Sequence, residues 1–136
     1  GGYHGKIVSI DESRELWVGE TVSENITAAT SKGDGMGNMN KIKKLPDWKN
    51  NYPAFAWCAS LGDGWYLPAV DELILIYENK SIINRRLNER GYGEVVNDLY
   101  WSSTEVDRER AYVVSSLYIG SFHKYSYDYV RAIRCF

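Results

Sequence analysis

The feature that most constrains this chain is a change in the spacing of its apolar residues. Through the middle they recur at helical intervals: Met39, Ile42 and Leu45, then Phe55, Trp57, Cys58 and Leu61, then Ile82, Ile83 and Leu87. From Tyr100 onward they alternate with polar residues, as strands half-covered by a core do. Alternating segments are expected at 100–105, 111–117, 121–125 and 129–136, a meander of strands. Near the start, 4–10 and 15–18 read as two short strands separated by Asp11-Glu12-Ser13, which suggests a hairpin. Strands at both ends with helices between them argue an α+β fold whose last strand pairs with its first.

Helices are expected over 38–44, 52–61, from about 69 through 77, and over 81–90. Pro53 is tolerated in a first turn. Asp71 and Glu72 stand where a helix N-terminus favours negative charge. Gly62-Asp63-Gly64 stops one helix and Gly91 ends another. The stretch 19–37 is rich in Ser, Thr, Gly and Asp without a period and reads as a loop held by its flanks. At 136 residues and 44% apolar content, one core is the default, so 1–136 is taken as a single domain.

Composition excludes several classes. Sixteen basic against eighteen acidic residues leave a net charge of −2, and basic runs stop at pairs such as Lys43-Lys44, so no nucleic-acid partner is expected. Apolar runs such as Leu73-Ile74-Leu75-Ile76-Tyr77 fall far short of the roughly 20 residues that cross a bilayer. No charged-then-apolar leader precedes Tyr3, as expected of a chain from which a signal peptide has been removed. Only His4 and His123 offer imidazole ligands, and no paired-His, paired-Cys or EF-hand spacing occurs, so no metal or cofactor is expected. Ser102, Ser103 and Thr104 lack a His at a meaningful spacing, and Glu105 with Asp107 need not converge on a strand, so no catalytic residue is assigned and an enzyme is not expected.

Eleven Tyr and five Trp make the chain unusually aromatic. In the segment 106–128, Tyr118, Tyr125 and Tyr127 are interleaved with Asp107, Arg108, Arg110, Ser116, Ser121, His123, Ser126 and Asp128. Rigid aromatic anchors among adaptable polar groups are a recognition mixture, and these eleven residues are the candidate ligand-binding set. A solvated antiparallel sheet of alternating Tyr and Ser would read the same way.

Three ordered motifs carry a family resemblance: Gly64-Trp65-Tyr66-Leu67-Pro68-Ala69-Val70-Asp71-Glu72-Leu73, Tyr100-Trp101-Ser102-Ser103-Thr104-Glu105, and Tyr129-Val130-Arg131-Ala132-Ile133-Arg134-Cys135-Phe136. With these the chain resembles the bacterial C-type-lectin-like domains that include variable proteins of diversity-generating retroelements, a group distantly similar in fold to formylglycine-generating enzymes. The resemblance implies a C-type-lectin-like fold displaying a variable segment at about 106–128, directed at a protein or cell-surface target. It places the domain outside the cytoplasm, on a cell surface or phage particle. The alternative is a fixed structural or adhesive module of a bacterial surface lipoprotein or pilus. The resemblance also puts Cys58 and Cys135 where such domains often join a helix to the last strand. A bridge there would contribute about 4 to 5 kcal/mol by chain entropy, the other possibility being two buried thiols.

Overall fold

A computed structural model describes residues 5–19, 26–95, 98–116 and 118–135. His4, Leu117 and Phe136, at the ends of three expected strands, lie outside them. Strand β1 (Lys6–Val8) pairs antiparallel with β7 (Ile133–Cys135) in the register Lys6↔Cys135, so the first and last strands do lie together. The chain has an α+β architecture with five helices among the described residues.

The expected N-terminal hairpin does not form. Strand β2 (Ser13–Glu15) pairs with β6 (Asp128–Val130), not with β1, and Leu16, Trp17 and Val18 continue as buried coil. The reason is Arg131, which is 2% exposed. Its guanidinium donates to Ser9 O at 2.7 Å, Ile10 O at 2.8 Å and Gly93 O at 3.0 Å, and pairs with Glu12 at 3.3 Å. Those bonds turn 9–12 around the Arg131 side chain and separate the two strands onto different sheets. The same corner divides the expected strand 129–136 into β6 and β7.

Five strands form the main sheet in the order β2-β6-β3-β4-β5, with β3 spanning Tyr100–Glu105, β4 Arg110–Val114 and β5 Ile119–His123. β3-β4-β5 is the antiparallel meander, and β3 runs parallel to β6. All six residues of β3 are buried, because other elements cover both of its faces. Its hydroxyls are therefore bonded. Ser102 Oγ donates to Tyr112 O, Asn38 donates to Ser103 Oγ, and Thr104 Oγ1 donates to Ser31 O while accepting from Val70 N.

The helices are α1 (Gly35–Ile42), α2 (Trp48–Asn51), α3 (Pro53–Ser60), α4 (Val70–Glu78) and α5 (Lys80–Glu89). α1 begins three residues before the sequence expectation, and 26–34 remains loop. Asp34 caps α1 by accepting from Gly37 N at 2.9 Å. A Cβ on Gly35 would sit 2.6 Å from Glu72 Oε1 and 2.7 Å from Leu67 O, so only glycine lets α1 start this close to α4. α2 was not expected. It follows Asp47, held in the left-handed region at φ 50°, and is a single turn. Pro53 occupies the first turn of α3 as read.

Glu72 is the junction of the N-terminal half. It is buried, and its carboxylate accepts from Gly35 N (2.8 Å), Ala69 N (3.1 Å), Tyr66 OH (2.7 Å) and Lys6 Nζ (2.6 Å). That hydrogen bond raises the Lys6 ammonium above its ordinary pKa, burial opposing it. Burial pushes the Tyr66 phenol well up, with help from Cys135 and Glu72. Trp17 stands edge-on to Phe55 at 5.0 Å and to Tyr52 at 6.1 Å, forming the aromatic centre of the core.

Candidate binding face

A buried ion pair fixes the candidate segment. Lys124 is fully buried, and its ammonium lies 2.9 Å from Glu105 Oε2, 3.0 Å from Arg108 O and 4.7 Å from the centre of the Trp17 ring. Glu105 also accepts from Thr27 N and Oγ1 at 2.9 and 2.7 Å. The backbone joins in, since Trp17 N and Val18 N both donate to Lys124 O. An isolated buried charge would cost several kcal/mol, so this satisfied pair holds the β5-β6 connection in one place.

The eleven candidate residues do not share one face. Along β4-β5 the register Arg110↔His123 and Val114↔Ile119 sets Arg110, Ser121 and His123 on one side of the sheet. Tyr118 lies on the other, its ring over Gly120 and 6.3 Å from Phe122. Ser116 and Tyr118 stand at the hairpin tip, while Arg110 and His123 stand at the opposite end of β4 and β5, strands that each span about 14 Å at a strand's rise per residue. At that end His123 and Tyr125 rings approach to 5.3 Å, and Arg108, Arg110 and His123 are exposed. Tyr127 is exposed beside β6, where its carbonyl accepts from Arg14 at 3.4 Å.

Several candidates serve the fold. Asp107 Oδ1 accepts from Glu109 N and Arg110 N, both at 2.9 Å, closing the turn into β4. The Glu109 amide bond, chiefly, draws its pKa below the ordinary carboxylate value. Arg110 donates to Ser121 O at 3.3 Å, and Ser126 O accepts from Trp101 Nε1 at 3.1 Å. Asp128 is buried opposite Glu15, with no hydrogen-bond partner for Oδ2 among the described residues. Burial raises its pKa, the Ser126 hydroxyl and Arg14 opposing and Asp98 adding. Ser116 and Tyr118 line a shallow cavity of about 580 Å³ with Ile74, Tyr77, Val114 and Ile119.

The cysteine bridge is not formed. Cys58 is enclosed in the core on α3, whereas Cys135 is exposed on β7 with its Sγ 3.4 Å from the Tyr66 hydroxyl. β7 aims Cys135 at the Glu72 junction, not at α3. Burial raises the Cys58 thiol pKa well above its ordinary value. Among the described residues, no group of three or more His, Cys, Asp and Glu could hold a metal ion, and no helix is long and apolar enough to cross a membrane.

No protein-family model and no curated protein sequence matches the chain. It is similar to a solved structure, a fimbrial protein from Bacteroides ovatus, with a TM-score of 0.77 at 19% identity. The similarity covers 97% of this chain and 36% of that one, so the chain spans about a third of that protein's length. At that identity the likeness is one of fold.

Proposed function

We propose that this domain is a fixed structural or adhesive module of a bacterial surface protein, built on a C-type-lectin-like fold and without catalytic activity. The observation that carries this reading is the likeness over nearly the whole chain to a fimbrial protein. The candidate segment agrees with it. A face that tolerates many side chains must not use them for folding, yet Asp107 closes a turn, Arg110 ties β4 to β5 and Asp128 is buried. Immunogold microscopy of source cells with antibody to this chain tests the proposal. Label on surface fibres or the envelope exterior is expected, and label confined to the cytoplasm overturns it.

A diversified display domain for a protein or cell-surface ligand is the second reading. It is favoured by Arg108, His123 and Tyr127, exposed around a frame pinned by the buried Lys124–Glu105 pair. Sequencing the locus discriminates the two. A reverse transcriptase beside a near-repeat of the segment coding for 100–136, differing only at adenines, establishes display, and absence of both leaves the fixed module.

A further inference from the structure

Among the described residues β1 has a neighbour on one side only, its two-stranded sheet being β1-β7. Ladder alternation then decides where its backbone groups point. Ser9 N donates to Ala132 O at 2.8 Å, and Ile7 faces Arg134 in the same register. Lys6 and Val8, in the alternate positions, turn their N–H and C=O groups away from β7. β7 is covered on its far side, where Ile133 and Tyr66 exchange two bonds at 3.0 Å. No strand covers β1 in that way among the described residues. A strand edge left open is a template for another strand.

This edge opens on an apolar groove. Cavities of about 410 and 370 Å³ lie along it and share Lys6, Val8 and Ile83. α4 and α5 form the opposite wall, and Leu75 (49%), Ile82 (55%) and Ile7 (44%) are exposed around it. Apolar side chains exposed together mark an interaction site more often than scattered ones do. Arg86 and Arg90 line the α5 part of the groove, and Lys6 stands at the strand. Lys6 is paired with Glu72 and Arg86 with Glu89, so the positive excess sits with Arg90.

We propose that this groove takes an extended segment of another polypeptide, which adds as a strand to β1. Its backbone pairs with the outward N–H and C=O groups of Lys6 and Val8. Alternate apolar side chains enter between β1 and α5, and an acidic residue lies against Arg90. Strand addition of this kind draws affinity from main-chain bonds and specificity from alternate side-chain pockets. No residue of 106–128 lines the groove, so the inference goes beyond the function proposed above and stands apart from it.

The test is selection of a displayed random-peptide library on the purified domain, followed by calorimetric titration of the enriched synthetic peptide. Sequences alternating apolar residues with Asp or Glu are expected. Val8→Pro removes an N–H that the domain's own ladder does not use, and should weaken binding about tenfold or more, although it also trims a side chain packed against the core. Ile82→Asp, on the exposed groove wall, should weaken it similarly and carries the test where Val8→Pro lowers stability. The proposal is overturned by a library that yields no binder or by binding indifferent to both substitutions. It is equally overturned by a chain that dimerises alone through this edge in sedimentation, which assigns the groove to a second copy.

Discussion

Asp128 shows what one buried side chain reveals. Its Oδ2 has no hydrogen-bond partner among the described residues, and burial raises its pKa above the ordinary value of 3.8. With the folded pKa above the unfolded one, the protonated form favours the fold. Its stabilising effect is full below the unfolded pKa and is lost as pH rises through the folded pKa. At neutral pH the ionised carboxylate therefore works against folding. Asp128→Asn is expected to melt higher than wild type at pH 7, with the difference shrinking towards zero as pH falls below about 4. A variant less stable than wild type at pH 7 would mean that the carboxylate has a favourable partner. Sequence placed Asp128 among contact residues because alternation from Tyr125 to Tyr129 does not reveal which face of β6 the rest of the fold covers.

Between elements, the strongest connection is the one that Lys124 makes. It joins the end of β5 to β3, to the turn before β4 and, through Trp17, to the aromatic centre. Lys124→Met strands the Glu105 carboxylate and should cost about 3 to 5 kcal/mol in urea denaturation. Pairing it with Glu105→Gln should recover part of that loss, because no unpaired charge then remains. Equal losses for the single and double variants would show that packing around Lys124, not charge, holds the connection. Elements were legible where local signals agreed: Pro53 opening α3, Gly91 ending α5, and the alternation that marks β4 and β5. α2 was missed because one turn is too short for a period to register. The first hairpin was misread because strand propensity does not name a strand's partner, and here Arg131, more than a hundred residues away, chose it.

For the whole molecule, the two cysteines report how tightly the core is closed. Cys135 is exposed and Cys58 is fully buried with a raised pKa. A disulfide-exchange reagent is expected to label one thiol per native chain quickly, and the second only at the rate of unfolding. No reaction in the native chain, with two thiols appearing after reduction, would restore the bridge. Fast reaction of both would mean that α3 opens readily.

The sequence by itself determined the class of the fold, the placement of four of the five helices among the described residues to within a few positions, and the pairing of β1 with β7. These follow from spacing and from Gly, Pro and capping residues, which act over a turn or two. Only the tertiary structure decided that Glu72 would gather four donors from α1, β1, the segment before α4 and its own helix cap. It also decided that Lys124 would be buried, that Cys135 would face away from Cys58, and that β1 would meet no second strand among the described residues. Each depends on which distant segments meet. Burial, pairing of charge and the choice of a strand's neighbour are settled by packing between them, not by the order of residues along any one.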